Sequence, residues 1–356
     1  MTTDNKPYLD SDIEEVVKRI AEPASALAGK TIALTGARGF LGRYFTEVFS
    51  RLNRQVLKTP CQIVGFDNLL TAGATGENMP AMEHFRFVKH DVSKPVEWDG
   101  PLDYVIHAAG IASPFYYRAY PLETLDVAIN GTRNMLELAN KHHARFTFFS
   151  SSEIYGDPDA KHVPTPESYR GNVACRGPRA CYDESKRVGE TLCYIFHETC
   201  GTATTAIRPF NVYGPGMQES DYRVLPNFAS RIKAGQPLSL YGTGVQTRTF
   251  CYITDALVGF LLAILHGVPG EVYNIGNPEP EISMADMVRM IGEVLGRPIE
   301  CKVIEYPDSY PADEPMRRCP DIRKARLQLK YEPQVPLEEG LRRFLSWTDR
   351  TYTGVA

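Results

Sequence analysis

From residue 30 to residue 209, short apolar runs alternate with longer segments in which apolar residues recur every three or four positions. The short runs are typical of buried strands, and the longer segments have the period of amphipathic helices. Six strands are predicted in this way, within KTIALTG, QIVGFD, FRFVKHD, YVIHAAG, RFTFFSSS and TATTAIRP. The main predicted helices between and after them cover residues 40–54, 122–143 and 180–200. Strands separated by helices predict an α/β fold, in which a doubly wound parallel sheet lies between two layers of helices.

The alternation ends at Pro209, beyond which Gly- and Pro-rich loops separate short helices and strands. This pattern predicts a smaller α/β lobe that is interleaved with the end of the sheet. Ahead of the first strand, residues 11–20 have a helical pattern, and Ser11 and Glu14 fit a capping box. The apolar stripe of this helix consists of Ile13, Val16, Val17 and Ile20. We expect the stripe to pack on the outside of the main domain, with an oligomer contact as the alternative.

The composition of the 356 residues is that of an ordinary globular protein, with 43% hydrophobic and 23% charged residues. A net charge of −4 argues against nucleic acid or an anionic membrane as the main partner. No apolar run approaches the roughly 20 residues that a membrane span requires, and the acidic N-terminus resembles neither a signal nor a transit peptide. The eight cysteines are scattered without a C-x-x-C pair, which predicts reduced thiols in a cytoplasmic protein and no metal site.

Three glycines, Gly36, Gly39 and Gly42, lie between the first strand and the first helix of the alternating pattern. Gly36 permits a tight turn, Gly39 lets the backbone approach a pyrophosphate, and Gly42 allows close packing of the helix. The N–H groups at the start of that helix, at Phe40 and Leu41, are then available to the anion. Glycines also end strands for purely structural reasons, but this triplet follows a strand and opens a helix. It therefore predicts a dinucleotide-binding site.

The nature of the dinucleotide is indicated by Asp67, which ends the second strand. A carboxylate there can accept hydrogen bonds from both ribose hydroxyls of NAD and would repel the additional phosphate of NADP. Asp67 could equally be a turn residue before Asn68, but no Arg directly follows it, which favours NAD. Further cofactor contacts are expected where the second, third and fourth strands end, at Asn68, Asp91, Val92, Ala108 and Ala109.

The best candidates for acid–base chemistry are Tyr182 and Lys186, which lie one turn apart on the helix predicted over 180–200. A free Tyr has a pKa of about 10, too high for a base at neutral pH, so a neighbouring cation is needed. Lys186 can lower that pKa, and both residues would also contact the cofactor. The two could equally be an ordinary helix pair, but the glycine loop upstream favours the chemical interpretation.

Together these residues resemble the extended short-chain dehydrogenase/reductase family, whose marks are the Gly-x-x-Gly-x-x-Gly loop and the Tyr-x-x-x-Lys pair. Within that family the chain is most similar to the UDP-glucuronate decarboxylases, through DNLLTAG, SSSEIYGDP, GPRACYDESKRVGETL, QTRTFCYITD and RRCPDIRKA. The resemblance covers nearly the whole chain from residue 30 onward. The chain departs from the family's pattern at Ser151, at residues 174–176 and at Tyr222.

The resemblance implies a Rossmann domain that binds NAD over residues 30–210 and a mainly substrate-binding lobe over 211–356, preceded by a helical extension over 1–29. It implies oxidation of a nucleotide sugar at C4, decarboxylation of UDP-glucuronate through a 4-keto intermediate, and reduction to UDP-xylose. A nucleotide-sugar 4-epimerase or 4,6-dehydratase would use the same cofactor residues and is the alternative. A non-catalytic NAD-binding protein is a third interpretation. Relatives are typically homodimers formed through paired helices, here those at 122–143 and 180–200.

The resemblance also assigns roles to individual side chains. Ser151 or Ser152 would hydrogen-bond the reacting sugar oxygen. Glu153 would orient the sugar or relay a proton, unless it is a solvent-facing residue at a strand end. Arg318 is implied as a further active-site residue. The implied substrate contacts are Ser113, Asn211, Arg223, Tyr241, Arg248 and Arg317.

Overall fold

The computed structural model describes residues 6–221, 223–242, 244–305 and 315–354, except for the side chains of Ala74 and Thr75. The departure noted at Tyr222 lies outside these residues. The described strands are β1 (Thr31–Thr35), β2 (Gln62–Asp67), β3 (Phe85–Lys89), β4 (Tyr104–His107), β5 (Arg145–Phe149), β6 (Thr204–Pro209), β7 (Val212–Tyr213), β8 (Leu238–Tyr241), β9 (Thr247–Arg248), β10 (Cys251–Tyr252), β11 (Val272–Ile275), β12 (Ile282–Ser283), β13 (Cys301–Ile304) and β14 (Arg317–Arg318). The described α-helices are α1 (Asp10–Ala24), α2 (Phe40–Gln55), α3 (Gly73–Glu77), α4 (Pro114–Ala119), α5 (Pro121–Asp126), α6 (Thr132–Lys141), α7 (Ala180–Cys200), α8 (Val224–Lys233), α9 (Ile253–His266), α10 (Met284–Leu295), α11 (Arg323–Leu329) and α12 (Leu337–Thr351).

The main sheet contains seven strands in the order β3-β2-β1-β4-β5-β6-β11, and every neighbouring pair is parallel. The six predicted strands are confirmed as β1 to β6. The seventh strand, β11, comes from beyond residue 210 and pairs with β6, while the other late strands form small separate sheets. The predicted α/β fold with a Rossmann-type doubly wound sheet is therefore confirmed.

Except along the edge strand β3, both faces of the main sheet are buried, because successive residues of a strand point to opposite faces and each face meets a layer of helices. In β1, Ile32 and Leu34 belong to one apolar cluster and Ala33 to another. The first cluster joins the sheet to α2 and α9, where the rings of Phe45 and Phe260 lie 6.4 Å apart. The second joins it to α6 and α7. The strand ends are thus held in fixed positions.

The predicted helices of the main domain are confirmed, with one internal difference. Residues 40–54 and 180–200 correspond to α2 and α7. The segment predicted as one helix over 122–143 is helical, but a π-helical turn at Val127–Gly131 separates α5 from α6. Such turns often occur next to functional sites, and Val127 lines the first cavity described below.

The N-terminal helix α1 is longer than predicted and begins differently. Leu9 is its N-cap residue, and no described side chain caps it. The predicted capping box of Ser11 and Glu14 is therefore wrong, because the helix begins one residue earlier and Ser11 already lies inside its first turn. The apolar stripe of α1 packs against α2 and α9, on the outside of the main domain as predicted. Since its own chain covers the stripe, the stripe is not free for an oligomer contact.

Three further observations bear on the class of protein. None of the described helices combines the length and the apolar character that crossing a membrane would require. Among the described residues, no three His, Cys, Asp or Glu side chains are grouped so that they could hold a metal ion. All eight cysteines lie within the described ranges, and all are free thiols.

Candidate active site

Two adjoining cavities lie at the carboxyl edge of the main sheet, which is where open α/β sheets bind ligands. The first cavity, of about 590 Å³, is lined by residues that follow each of the strands β1 to β6. The second cavity, of about 610 Å³, is lined in addition by α8 and β8 of the C-terminal lobe. The predicted site residues that line both cavities are Glu153, Tyr182, Asn211 and Arg223.

The loop between β1 and α2 has the shape of an anion cradle. Gly36 has a φ of +70°, and a Cβ placed on it would come within 2.9 Å of the Ala109 nitrogen. A Cβ on Gly42 would lie 2.1 Å from the Gly36 oxygen, so neither position accepts a larger residue without a backbone shift. No described side chain caps α2 at Phe40, which leaves the N–H groups of its first turn for a bound anion. These residues fit the pyrophosphate of a dinucleotide.

Asp67, at the end of β2, is held by the backbone of two loops. Its Oδ2 accepts a hydrogen bond from the Arg38 N–H at 2.9 Å, and its Oδ1 accepts one from the Leu69 N–H at 2.7 Å. Burial raises the pKa of this carboxyl above its ordinary value. The other predicted cofactor residues line the first cavity beside it, at Gly36, Gly39, Phe40, Leu41, Gly42, Asn68, Asp91, Val92, Ala108 and Ala109. This end of the cavity therefore has the donor and acceptor groups that suit an adenosine.

Tyr182 and Lys186 are brought together on α7, as predicted. The Lys186 Nζ donates to the Phe149 carbonyl at 2.8 Å and lies 5.7 Å from the centre of the Tyr182 ring. Gly110 leaves room for this ammonium, since a Cβ there would lie 2.9 Å from Nζ. The Tyr182 ring is stacked on that of Tyr117, with 5.3 Å between the ring centres. Packing therefore fixes both side chains at the wall of the first cavity.

Burial dominates the acid–base properties of this pair. It raises the pKa of Tyr182 to about 12, against the opposing effect of a hydrogen bond with the Ser151 side chain. It lowers the pKa of Lys186 to about 8. The expected lowering of the Tyr182 pKa by Lys186 is thus not seen, because the loss of hydration on burial is the largest effect on the phenol.

Glu153 lies between two guanidinium groups. Arg318 approaches it with both terminal nitrogens, Nη2 lying 2.6 Å from Oε2, and Arg179 binds the same carboxylate. Although burial alone would raise it, Arg318 and Arg179 hold the pKa of Glu153 below its ordinary value. The alternative that Glu153 faces solvent is therefore wrong. Because its carboxylate stays charged, Glu153 is better suited to orienting the sugar than to relaying a proton. Arg179 also pairs with Asp183, whose pKa is raised to about 7 by burial and by the Glu153 charge.

The second cavity is rich in positive charge. The arginines that line it are Arg118, Arg179, Arg223, Arg248 and Arg318. Tyr241 lies in the same wall, and so does Asn211, whose Nδ2 donates to the Thr249 carbonyl at 2.8 Å. The Arg248 Nη1 donates to the Thr247 carbonyl at 2.8 Å, which holds its side chain in place. Such a cluster fits a ligand with several negative charges, for example a diphosphate.

Two of the predicted substrate contacts line neither cavity. Ser113 is buried, and its hydroxyl donates to Asp221 at 3.3 Å. Arg317 forms hydrogen bonds of 2.8 and 2.7 Å with Glu281. It precedes Arg318 in β14, and successive residues of a strand point to opposite sides, so only Arg318 faces the cavity.

Arg179 and Gly110 are site positions that sequence reasoning missed. Arg179 stands three residues before Tyr182 and four before Asp183, a spacing that places all three on neighbouring parts of a helix face. This spacing could have predicted that Arg179 lies close to Tyr182 and Asp183. Gly110 follows two alanines at the end of β4, and a run of such small residues indicates close approach of another group.

Comparison with known proteins adds to this geometry. The NAD dependent epimerase/dehydratase family matches residues 32–276. The chain belongs to this family. The matched residues contain β11 and, apart from Thr31, all of the other six strands of the main sheet, whereas α1 and Arg318 lie outside them.

Curated relatives of this epimerase/dehydratase include "UDP-glucuronic acid decarboxylase 1" of Xenopus tropicalis, which is 39% identical over 89% of this chain and 72% of the relative. "UDP-glucuronic acid decarboxylase 3" of Arabidopsis thaliana is 37% identical over 87% of this chain and 86% of the relative. Among solved structures, an epimerase of Methanothermobacter thermautotrophicus has a TM-score of 0.77 and 28% identity, and the alignment covers 93% of this chain and 95% of that one. The predicted family, enzymatic function and NAD cofactor are confirmed.

Proposed function

We propose that this epimerase/dehydratase is a UDP-glucuronate decarboxylase that forms UDP-xylose. The observation that carries the proposal is the arginine cluster of the second cavity, which adjoins Tyr182 and the Glu153 carboxylate. A nucleotide sugar with an acidic sugar carries both a diphosphate and a carboxylate, so it needs more positive charge than a neutral sugar would. The names of the curated relatives, which are UDP-glucuronic acid decarboxylases, point the same way.

The first step is the removal of the proton from the C4 hydroxyl of the sugar by Tyr182. The residues that line the first cavity would hold NAD, which would supply the acceptor for the C4 hydride, the donor for the final reduction, and a positive charge that would favour the ionised form of Tyr182. Ser151 hydrogen-bonds Tyr182 and holds the phenol in position, while Ser152 lines the cavity next to it. Lys186 is fixed by the Phe149 carbonyl and orients the groups around it. Proton transfer by a positioned side chain of this kind accelerates a reaction by about 10² to 10⁴.

The second step is decarboxylation. Oxidation at C4 turns the uronic acid into a β-keto acid, and the bond between C5 and its carboxylate then breaks. Its electron pair passes into an enolate as CO2 leaves, and a proton from solvent then adds to C5. In the final reduction C4 regains its hydride, and Tyr182 returns its proton to the C4 oxygen. Glu153 remains ionised between Arg318 and Arg179, so we assign it to orienting the sugar rather than to donating this proton.

The substrate contacts are proposed on the same grounds. Arg248 and Asn211 would hold the diphosphate and Tyr241 the base, since all three line the second cavity. Arg223 lines both cavities and would lie between the two ligands. Ser113 would act indirectly, through Asp221, whereas Arg317 binds Glu281 and is assigned no substrate contact.

The reaction is tested with UDP-glucuronate labelled at the sugar carboxyl. The proposal requires release of labelled CO2 and formation of UDP-xylose by the wild-type protein with NAD. A label that stays entirely in UDP-galacturonate would identify a 4-epimerase. Absence of any turnover on UDP-, dTDP-, GDP- and CDP-linked sugars would support a non-catalytic NAD-binding protein.

We also propose a homodimer formed through α5, α6 and α7. Apolar side chains are exposed on α5, on the π-helical turn and on α7, at Leu122, Ile129, Tyr194 and Ile195. A patch of this kind on two adjacent helices is typical of an interface. Sedimentation of the wild type as a dimer and of a Leu122→Asp, Ile195→Asp variant as a monomer would support it. A wild type that sediments as a monomer would contradict it.

The cytoplasm is the compartment that we propose. Cys175, Cys200 and Cys301 are exposed thiols without a disulfide partner, which suits a reducing environment. Cell fractionation with an antibody against the native protein tests this, and recovery in a secreted or lumenal fraction would contradict it.

A further inference from the structure

The second cavity depends on one loop, residues 214–221 together with Arg223, which we call the substrate loop. Met217 and Arg223 line the cavity directly. Asp221 accepts hydrogen bonds from the Arg223 N–H at 3.0 Å and from the Ser113 hydroxyl at 3.3 Å. The position of this loop therefore decides where Arg223 lies relative to both ligands.

Arg43, on α2, contacts this loop from the cofactor side. It is 2% exposed, and its Nη2 donates to the Gly216 carbonyl at 2.6 Å. Its Nη1 donates to the carbonyl of Arg38, within the glycine loop, at 3.1 Å. One guanidinium thus joins the glycine loop of the first cavity to the substrate loop of the second.

Burial of the Arg43 guanidinium is unfavourable for the stability of the fold. Among the described residues its Nε has no hydrogen-bond partner, and the bonds that it makes are to carbonyl groups rather than to a carboxylate. Burial lowers its pKa to about 10, so the side chain stays charged at neutral pH. Burial deprives this cation of its hydration, and the charge of Asp67 offsets that loss only in part. What the buried Arg43 does provide is its two hydrogen bonds, to the Arg38 and Gly216 carbonyls of the two loops.

The surroundings hold the substrate loop against Arg43. Gly216 has a φ of +92°, and a Cβ there would come within 2.3 Å of the Pro7 oxygen. The Met217 carbonyl accepts a hydrogen bond from the Tyr352 hydroxyl at 2.9 Å. The loop is thus enclosed by the N-terminal segment, the C-terminal segment and α2.

A second contact joins the same two regions. The Gln218 Nε2 donates to the Thr71 carbonyl at 3.0 Å, in the segment after β2 that lines the first cavity. The Gln218 Oε1 accepts a hydrogen bond from the Tyr116 hydroxyl at 3.0 Å. Arg43 and Gln218 therefore fix the substrate loop at two points on the cofactor side.

We propose that Arg43 is a positioning residue that couples the two cavities, so that NAD binding along the glycine loop and nucleotide-sugar binding along the substrate loop support each other. Arg43 lines neither cavity and acts only through the Arg38 and Gly216 carbonyls. The identity of the second ligand rests on the proposed function, whereas the coupling itself rests on the geometry of Arg43.

The test compares three variants of the NAD-loaded enzyme. Arg43→Met keeps much of the side-chain volume and removes both bonds, Arg43→Lys keeps the charge with a single donor atom, and Arg54→Met changes a half-exposed arginine of the same helix. A hydrogen bond to a charged group is worth about 1.5–3 kcal/mol, which corresponds to roughly tenfold or more in binding. We expect Arg43→Met to raise the KM for UDP-glucuronate and the Kd for UDP about tenfold, with kcat reduced less than threefold. Arg43→Lys should lie between it and the wild type, and Arg54→Met should match the wild type.

Calorimetric titration with UDP separates this inference from the proposed reaction, because it requires no turnover. If the wild type bound UDP but released no CO2 from UDP-glucuronate, the proposed decarboxylase activity would be rejected. The coupling by Arg43 would still be decided by the UDP affinities of the variants. In a second experiment the NAD-free protein is titrated with NAD, and the Kd for NAD should also be higher in Arg43→Met than in the wild type. Unchanged UDP and NAD affinities in Arg43→Met would overturn the coupling. If Arg43→Met does not fold, unchanged UDP and NAD affinities in Arg43→Lys would contradict the coupling.

Discussion

The two cavities meet at Tyr182, but they are built by different means. At the glycine loop the first is shaped by backbone, with glycines that leave space and helix N–H groups that face it. The second is made of charged side chains from distant segments, since Glu153 meets Arg179 from 26 residues away and Arg318 from 165 residues away. A cradle of backbone suits a group that is the same in every reaction. A charge cluster can be changed residue by residue, so it is where substrate choice is expected to reside.

The largest expected effect comes from removing the hydroxyl of Tyr182, one of the residues that line both cavities. Tyr182→Phe should lower kcat with UDP-glucuronate by about 10³-fold, because the proton acceptor at C4 is lost. Binding of NAD and of UDP should change little, which calorimetry can check. Tyr194→Phe removes an exposed hydroxyl from the same helix and should leave turnover intact. If Tyr182→Phe turned over like the wild type, the two cavities would not form one active site around this residue.

The second-largest effect is expected at Gly36 and tests whether the backbone of the glycine loop holds the cofactor. Gly36→Ala and Gly201→Ala both place a Cβ at a φ near +70°, but only the Cβ at Gly36 meets backbone atoms, at 2.9 Å. Gly201→Ala should lose about 1 kcal/mol of stability from the left-handed backbone, measured by urea unfolding, and Gly36→Ala should lose more because its Cβ also meets backbone atoms. Only Gly36→Ala should also weaken NAD binding, by tenfold or more. Equal NAD affinity in the two variants would show that the cradle does not hold the cofactor.

A smaller effect tests which arginines serve the second cavity. Arg248→Met should raise the KM for UDP-glucuronate about tenfold, since an interaction between a guanidinium and a phosphate is lost. Arg317→Met should change the KM by less than about twofold, because Arg317 faces Glu281 rather than the cavity. Steady-state kinetics of the two variants decide the matter, and the reverse ranking would show that the cavity is not the substrate site.

The smallest effect concerns the buried charges beside the second cavity. The pKa of Asp183 is about 7 in the folded protein, against an ordinary value of 3.8. Between these values the folded state holds a proton that the unfolded state has released, so this group's contribution to stability falls as the pH rises. Urea unfolding between pH 4.5 and 8 should show a flatter pH dependence for Asp183→Asn than for the wild type. Glu184→Gln, on the same helix, should keep the wild-type slope, and a parallel pair of curves for Asp183→Asn would refute the assignment.

The alternating pattern was sufficient for most of the fold, because the six early strands and the helices α2 and α7 bury regular apolar stripes. It did not indicate β11, which is a short strand in an irregular region and gains its place by pairing with β6. It also placed the start of α1 one residue too late, since propensity at Ser11 favoured a cap that the chain does not use. Local signals are weakest where tertiary contacts select among similar local states.

The candidate site divides in the same way. The sequence by itself indicated the main residues of the first cavity, since the glycine loop, Asp67 and the Tyr182–Lys186 pair can each be recognised from local spacing. Only the tertiary structure decided that Arg318 faces Glu153 while Arg317 turns to Glu281, that Arg179 completes the cluster, and that Arg43 joins the two loops. The physical reason is that contacts between charged side chains depend on distance in space, and the chain brings these groups together only after the whole sheet and lobe have formed.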